Sequence, residues 1–393
     1  NFDDIRPYHD SEVRAVVERL AADLALSKAM AKFRLPTLYR FWPALAARLV
    51  QAGLKRELRA VRSVHDVQII IEKYLDRLIE KTTDGLTHDG LDKLDPKQPY
   101  LFISNHRDIT MDPALVNYML YHQNFGTLQI ALGDNLLKRP FLSDLMRLNK
   151  SFIVKRGLHG RELLAASKKL SAYISHCIDT GQNVWIAQRE GRAKDGVDKT
   201  ETAVIKMLHM AGREGETKLS LAAAMNRLNI VPVAISYELD PCDAAKAAEL
   251  YAIDSVGSYQ KDENTDVNSI LAGMVGKKGA VHVSFGAPLR VEEGANAERV
   301  AELIDAQIVA NYRLHVLNYV ALEKLQPDYM DFATLPARFG VSEDAVRRKR
   351  ELLTERLSKI DAALHPYLLR MYANPVLRQA ELARQSAPHA HAS

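Results

Sequence analysis

Between Tyr100 and Gly286, short apolar runs alternate with segments of helical periodicity, and this alternation constrains the fold more than any other feature. The candidate strands are YLFIS at 100–104, LQIAL at 128–132, SFIVK at 151–155, NVWIA at 183–187, IVPVAIS at 230–236 and AVHVSFG at 280–286. Helices are predicted between them, near 113–123, 140–148, 160–179, 200–211 and 217–228. Strands that alternate with helices favour an α/β layer architecture.

Helical segments flank this central region on both sides. The helical spacing of apolar residues from Val13 onward predicts a helical N-terminal domain, and helical patterns resume after Glu293. The stretch from Thr82 to Tyr100 is rich in Asp, Gly, Thr and Pro, which predicts a linker or turn region. We therefore expect a helical domain at 1–88, an α/β domain at 89–292, a helical region at 293–385 and a disordered tail at 386–393.

Composition excludes several classes of protein. The 53 basic residues nearly balance the 49 acidic ones, so the net charge of +4 gives no support for nucleic-acid binding. Only Cys177 and Cys242 are present, which rules out a disulfide framework and fits a reducing compartment. The opening NFDDIRPYHDSE lacks a signal-peptide pattern, and no apolar window is long enough to span a bilayer. These features predict a cytoplasmic protein.

The stretch LFISNHRDITMDPALVN, at 101–117, places His106 directly after a candidate strand and between two aspartates. A neutral imidazole can accept a proton from an alcohol when a carboxylate orients the ring and stabilises the resulting imidazolium. The simpler interpretation is a loop histidine, with Asp112 as the N-cap of a helix that has Pro113 at its first position. The residues alone leave open which aspartate, Asp108 or Asp112, would serve His106.

Basic residues follow two further candidate strands. SFIVKRG ends in Lys155 and Arg156, and the stretch after the next strand, QREGRAKDG, contains Arg192 and Lys194. Each cluster alone is typical of a solvated loop. Together, cations at neighbouring strand ends, with glycines that allow close backbone approach, predict a site for a phosphate or similar anion.

Other basic and titratable groups give weaker signals. The run VRRKR, at 346–350, is typical of a solvated helix face, and the alternative is an electrostatic contact with anionic lipid headgroups. The histidines at 159, 176, 209 and 282 lack metal-ligand spacing, so we predict no metal site. No Gly-x-Ser-x-Gly motif is present, which argues against a serine nucleophile elbow.

Taken in order from Leu91 to Arg290, the blocks FISNHRDITMDPALV, SFIVKR, EGRAKDG, IVPVAISYE and GAVHVSFGAPLR resemble those of the glycerolipid acyltransferase family. The resemblance implies a mixed, mostly parallel sheet flanked by helices. It also implies that His106 is the general base and that Arg156 and Arg192 bind the phosphate of the acceptor. The further substrate-binding positions that it implies are Asn105, Arg107, Lys155, Glu190, Gly191, Lys194 and Pro232.

Two spacings differ from the family pattern. Five residues separate His106 from Asp112, one more than is usual, and a single residue separates His106 from Asp108. Gly191 and Arg192 are adjacent, whereas the third block of the family usually has one more residue between its Gly and Arg, so either the loop is shortened or Arg189 and Glu190 occupy shifted places. We expect Asp112 to be the partner of His106, because a helix follows it as one follows the family's aspartate, and Asp108 is the alternative.

The resemblance implies an O-acyltransferase of phospholipid synthesis. It would move an acyl chain from acyl-CoA or acyl-carrier protein to a hydroxyl of 1-acylglycerol-3-phosphate, with no cofactor and no metal. One alternative is a glycerol-3-phosphate acyltransferase, and another is a non-catalytic module that binds lipid or acyl-carrier protein. The expected partners are the acyl donor, the glycerol phosphate acceptor and the inner face of the cell membrane, contacted peripherally, but not nucleic acid.

Overall fold

A computed structural model describes residues 1–137, 139–214, 218–262 and 265–386. The chain forms two compact units. The first unit consists of Asn1–Asp76 and Leu128–Tyr173, and the second consists of Arg77–Thr127 and the chain from Ile174 onward.

Helices and strands follow one another along the chain in the α/β pattern. The strands are β1 (Thr83–Asp89), β2 (Leu101–Ser104), β3 (Gln129–Gly133), β4 (Ser151–Val154), β5 (Val184–Ala187), β6 (Ile230–Tyr237) and β7 (Gly279–Phe285). The first helices are α1 (Asp10–Ala22), α2 (Leu24–Arg34), α3 (Pro36–Phe41), α4 (Pro43–Glu57), α5 (Val64–Thr82), α6 (Met111–His122), α7 (Pro140–Leu148), α8 (Gly160–Asp179) and α9 (Thr202–His209). The later helices are α10 (Leu221–Arg227), α11 (Asp243–Val256), α12 (Thr265–Val275), α13 (Ala297–Asn311), α14 (Val316–Leu325), α15 (Leu335–Phe339), α16 (Glu343–Ser358) and α17 (His365–Ser386).

The first unit combines a helical layer with the parallel pair β3 and β4. Its apolar core includes Val13, Val17 and Leu20 of α1 and Val50 of α4. Asp144 of α7 is buried and accepts hydrogen bonds from the hydroxyl of Tyr8 and the guanidinium of Arg19. These bonds tie the N-terminal residues to α7.

The second unit contains strands in the order β1, β7, β6, β2 and β5. Neighbouring strands run parallel except for β6 and β7, which are antiparallel. Every residue of β2 and β6 is buried, as expected for central strands covered on both faces. The expectation of a mixed, mostly parallel sheet flanked by helices is confirmed.

A separate apolar core holds the C-terminal helices of the second unit together. Leu317 and Val320 of α14 pack with Leu353 of α16 and with Leu369 and Tyr372 of α17. The helical pattern expected after Glu293 is present as α13 to α17. The domain boundaries at 88, 292 and 385 stay predictions.

Of the tail at 386–393, Ser386 is the last residue of α17, and the remaining residues lie outside the described part of the chain. Among the described residues, no helix combines the length and apolar character that a membrane crossing requires.

Two parts of the second unit differ from the expectation. The segment predicted as a linker contains β1, which pairs in parallel with β7. Because β1 is an edge strand with mostly exposed or half-buried polar side chains, it has no apolar run that would mark it in the sequence. Helices α11 and α12 occupy a region to which we had assigned no element.

Gly90 shows how closely the chain after β1 approaches β7. Its φ angle is +82°, and a Cβ atom added there would lie 1.9 Å from the carbonyl oxygen of Phe285. Gly181 also has a positive φ, +77°, but a Cβ there would meet nothing within 4 Å. A side chain at Gly181 would therefore meet backbone strain alone, whereas one at Gly90 would meet both backbone strain and a steric clash.

We expect Gly181→Ala to lower the free energy of unfolding by about 1–2 kcal/mol, the cost of a left-handed conformation. Gly90→Ala should cost about 1–3 kcal/mol more, because the Phe285 carbonyl must also move. Urea denaturation of both variants measures the difference. Equal losses in the two variants would contradict a rigid contact between Gly90 and β7.

Candidate active site

The loop that joins β2 to α6 carries the predicted base. His106 and its neighbours follow the carboxyl end of β2, a central strand of the second unit. In open α/β sheets, ligands bind outside the carboxyl ends of the strands, near points where the strand order changes direction. His106 therefore lies where ligands bind in sheets of this kind, and its role as a base stays a prediction.

Asp112 is the carboxylate that contacts His106. The Nδ1 atom of His106 lies 2.8 Å from Oδ2 of Asp112, and the Asp112 side chain is fully buried. An ionised carboxylate can only accept hydrogen bonds, so this contact places the ring proton on Nδ1. The Nε2 atom is then the basic nitrogen of the neutral ring.

Three further donors hold Asp112 in place. Its Oδ2 atom accepts from the backbone N–H of Arg107 at 2.6 Å and of Asp108 at 2.9 Å. Its Oδ1 atom accepts from the hydroxyl of Tyr237, the last residue of β6, at 2.7 Å. Burial, together with the nearby charge of Asp112, raises the pKa of Tyr237 well above its usual value, so this hydroxyl remains a donor. All four hydrogen-bond partners of Asp112 are thus donors.

Asp108 contacts the start of the helix and makes no hydrogen bond to His106. Its Oδ1 atom accepts from the backbone N–H groups of Thr110 at 2.9 Å and Met111 at 2.8 Å. Helix α6 begins at Met111, so the interpretation of Asp112 as the N-cap is wrong, and the capping bonds come from Asp108. Burial and the charge of Asp112 raise the pKa of Asp108.

The other side of the His106 ring is open to a ligand. Its side chain is 14% exposed, and Nε2 makes no hydrogen bond with a described residue. The ring of Trp185, on β5, meets it edge to face with a centroid distance of 5.7 Å. The Trp185 indole is itself held by a hydrogen bond to the hydroxyl of Ser104. This aromatic contact and the Asp112 carboxylate together restrict rotation of the imidazole.

Asn105 directly follows β2, and Pro232 lies in the neighbouring strand β6. The Asn105 amide accepts from the backbone N–H of Ile235 at 2.8 Å and donates to its carbonyl at 3.0 Å, and the side chain is fully buried. Pro232 is buried in β6 in register with Ile103 of β2. The Asn105 amide therefore joins the ends of β2 and β6, and the substrate-binding role expected for both residues stays a prediction.

The loop after β5, at 188–201, which we call the glycine-rich loop, packs against the loop that carries His106. The backbone N–H of Ala193 donates to the carbonyl of His106 at 2.8 Å. Nη2 of Arg107 lies 2.7 Å from Oδ2 of Asp198, and both side chains are buried. Burial opposes the charge of Arg107, but the nearby carboxylates of Asp198, Asp240 and Asp195 and the Tyr312 hydroxyl together raise the pKa of the guanidinium. Arg107 thus joins the two loops through a buried ion pair.

Arg192 is the buried cation of this loop, and one of its guanidinium nitrogens has no partner among the described residues. Its side chain is 9% exposed, Nη2 donates to the Ser269 hydroxyl at 3.3 Å, and Nη1 has no partner among the described residues. Lys194, by contrast, forms an ion pair with Glu249 at 3.1 Å. Glu190 is exposed, and Gly191 has a φ angle of +74°. A buried, unpaired guanidinium nitrogen is suited to an anionic ligand.

Lys155 and Arg156 belong to the first unit, after β4. The ammonium of Lys155 lies 3.0 Å from a carboxylate oxygen of Asp4. The backbone N–H of Arg156 donates to Asp134 at 3.2 Å, and its guanidinium lies so close to Gly133 that a Cβ there would be 2.5 Å from Nε. The phosphate-binding role expected for both residues stays a prediction.

The C-terminal helix α17 holds the glycine-rich loop from its other side. The side-chain amide of Asn374 donates to the carbonyl of Asp195 at 2.6 Å. Gly196 has a φ angle of +78°, and a Cβ there would lie 2.3 Å from the carbonyl oxygen of Met371. The loop is therefore fixed between α17 and Arg107.

Several residues of the site were missed in the sequence. Tyr237 stood at the end of a predicted strand, so its place at the sheet edge was available as a signal. Lys246, on α11, is fully buried and donates to the carbonyl of Arg107 at 2.7 Å while pairing with Asp240. No local pattern marks Lys246 or Asp198, because each depends on a partner distant in the chain.

Comparisons with known proteins find similar sequences among acyltransferases. A model of the family described as Acyltransferase matches residues 85–236. The glycerol-3-phosphate acyltransferase of Haemophilus ducreyi is 27% identical over 198 residues, which are 50% of this chain and 22% of that protein. The enzymes of the same name from Pasteurella multocida and Pseudomonas syringae pv. tomato are 24% and 25% identical, over 58% of this chain and 27% and 26% of their own lengths. The chain thus spans about a quarter of the length of these curated relatives.

Among solved structures, the chain is similar to the 1-acyl-sn-glycerophosphate (LPA) acyltransferase PlsC of Thermotoga maritima. The TM-score is 0.37 and the sequence identity is 14%, over 72% of this chain and 92% of that one.

We expect Asp112→Ala, but not Asp108→Ala, to release the ring proton of His106. In ¹⁵N-histidine-labelled protein at a pH where the ring is neutral, the His106 Nδ1–H signal should be protected from exchange with water. A His106→Gln spectrum assigns it. The signal should persist in Asp108→Ala, because that carboxylate does not contact the ring. Loss in Asp108→Ala with retention in Asp112→Ala would reverse the assignment of the two carboxylates.

Proposed function

We propose that this chain, whose residues 85–236 match a model of the family described as Acyltransferase, transfers an acyl group to a hydroxyl of a glycerol phosphate acceptor. The observation that carries the proposal is the geometry of His106. Its Nδ1 contacts a buried carboxylate that four donors hold in place, and its Nε2 makes no hydrogen bond with a described residue. This is the arrangement that general-base activation of an alcohol requires.

In the proposed reaction, Nε2 of His106 takes the proton of the acceptor hydroxyl as the oxygen attacks the carbonyl carbon of an acyl thioester. The Asp112 carboxylate stabilises the imidazolium that forms. Collapse of the tetrahedral intermediate breaks the carbon–sulfur bond, and the imidazolium returns its proton to the departing thiolate. The products are an ester and a free thiol, with no covalent enzyme intermediate and no cofactor.

Arg192 is the proposed contact for the phosphate of the acceptor. Its Nη1 atom is buried and unpaired among the described residues, and its backbone is next to Ala193, which bonds to the carbonyl of His106. A phosphate bound there would hold the acceptor hydroxyl near the base, and such positioning supplies part of the rate enhancement. Arg107 and Lys194 are less suited to this role, because Asp198 and Glu249 already pair with them.

For the acceptor we favour glycerol 3-phosphate. The names of the curated relatives from Haemophilus ducreyi, Pasteurella multocida and Pseudomonas syringae support it. The 1-acylglycerol-3-phosphate acceptor expected from the sequence motifs is the second candidate. The proposed donor is acyl-CoA or acyl-carrier protein, and the proposed place of action is the inner face of the cell membrane, contacted peripherally.

We expect His106→Ala to lower kcat/KM by at least about a hundredfold, the usual contribution of a general base. Arg192→Met should raise the KM for the acceptor about tenfold to a hundredfold, since a hydrogen bond to a charged group contributes about 1.5–3 kcal/mol. Release of free CoA from acyl-CoA measures both effects. Lys199→Met is the matched control, because Lys199 is an exposed cation of the same loop.

Equal rates of CoA release in the wild type and in His106→Ala would contradict the proposed mechanism. Binding of acyl-CoA or acyl-carrier protein by the wild type without any turnover would instead support a non-catalytic binding module. An unchanged acceptor KM in Arg192→Met would remove Arg192 from the phosphate site.

Competition between the two acceptors decides which is used. With glycerol 3-phosphate and 1-acylglycerol-3-phosphate at equal concentration, we expect the monoacylated product to dominate. Mass spectrometry of the extracted lipids distinguishes the two products. Preferential formation of the diacylated product would favour the second candidate and leave the chemistry at His106 unchanged.

A further inference from the structure

The corner between α3 and α4, in the first unit, exposes four large apolar side chains. Phe41, Trp42, Leu45 and Leu49 are 64%, 62%, 49% and 51% exposed. We refer to these four residues as the α3–α4 apolar face. Soluble proteins expose single apolar side chains routinely, but a group of adjacent ones marks an interaction surface.

These side chains form one continuous stripe. Trp42 is the N-cap of α4, and Leu45 and Leu49 follow it three and seven residues later, which places all three on one side of the helix. The rings of Phe41 and Trp42 lie 6.1 Å apart. The opposite side of α4 is buried through Ala46, Ala47, Val50 and Leu54. The apolar core of the first unit is therefore formed by the buried side of α4, and the stripe lies on its exposed side.

The surroundings of the stripe are predominantly basic. Between Leu24 and Arg56 there are seven lysines and arginines, all exposed, and no acidic residue. Asp23 and Glu57 bound this segment, and Glu57 lies 3.7 Å from Arg34. The VRRKR cluster singled out in the sequence is different. There, Val346 is buried, and Lys349 and Arg350 pair with Glu238 and Glu323 at 2.5 Å and 2.8 Å.

We propose that the α3–α4 apolar face docks on an anionic lipid surface. A second copy of the chain would bring two positively charged faces together, which like-charge repulsion opposes. An anionic bilayer satisfies both features, because aromatic and leucine side chains enter the interface while basic residues contact the headgroups. The inference rests on the proposed function in one respect: an enzyme whose ester product is a lipid has a reason to contact a membrane.

Tryptophan fluorescence tests the docking directly. The chain has two tryptophans, of which Trp42 is 62% exposed and Trp185 is 2% exposed. Vesicles of phosphatidylglycerol and phosphatidylcholine should therefore shift the emission of Trp42 to shorter wavelength, and brominated lipid should quench it. Vesicles of phosphatidylcholine alone should produce a much smaller shift, and added salt should weaken binding to the anionic vesicles.

Variants separate the apolar from the electrostatic contribution. We expect Phe41→Ser with Leu45→Ser, and separately Arg40→Gln with Arg48→Gln, to lower vesicle partition about tenfold or more. Arg347→Gln with Arg348→Gln removes the same charge from an exposed part of α16 and should leave partition unchanged. Circular dichroism confirms that each variant is folded.

Equal partition of the Phe41→Ser, Leu45→Ser variant and the wild type would overturn the inference. So would self-association of the wild type that the same substitutions abolish in the absence of vesicles, because the face would then be an interface between copies. Partition is measured on His106→Ala protein, which cannot turn over substrate by the proposed mechanism. Failure of docking and failure of the proposed function are therefore distinguishable.

Discussion

The site depends on one buried carboxylate, that of Asp112. A buried charge is stable only when hydrogen bonds replace the water that it has lost. Four donors do so here: the ring of His106, the hydroxyl of Tyr237 and the backbone N–H groups of Arg107 and Asp108. The Oδ2 atom of Asp112 accepts from the backbone of the loop after β2 and also from the imidazole of His106. The conformation of the loop and the orientation of the His106 ring therefore depend on the same atom. Asp108, two residues from His106, serves the helix instead.

Around this carboxylate, the remaining charges are organised in pairs that join distant parts of the second unit. Arg107 is paired with Asp198 of the glycine-rich loop, and Lys246 connects the backbone of Arg107 to Asp240. Removing one partner of a buried pair costs more than the pair itself contributes, because the other charge is left without compensation. Arg192, like Arg107 at Nε, keeps a buried guanidinium nitrogen without a partner among the described residues, but no carboxylate of those residues pairs with Arg192. The Arg192 guanidinium is therefore the one better suited to an anionic ligand.

Most of the sheet could be predicted because central strands are buried on both faces and appear in the sequence as apolar runs, as in β2 and β6. The edge strand β1 could not, since its side chains are polar and its pairing with β7 depends on residues far along the chain. The alternative interpretation of Asp112 as an N-cap rested on the local preference for Asp before Pro113, whereas the loop geometry gives the capping bonds to Asp108. Lys246 and Asp198 carry no local signal, because a buried ion pair is a property of two segments and not of either one.

The contact between α17 and the glycine-rich loop bears on how this protein can be divided. The segment that matches the acyltransferase family ends at residue 236, whereas Asn374 and the backbone of Met371 hold the loop that contains Arg192. A fragment cut at the end of the family match would keep His106 and Asp112 but would lose the support of that loop and the C-terminal apolar core around Leu317 and Leu369. The smallest piece of this chain that keeps the candidate site supported is therefore larger than the segment that matches the family, and truncation is a poor way to map that site.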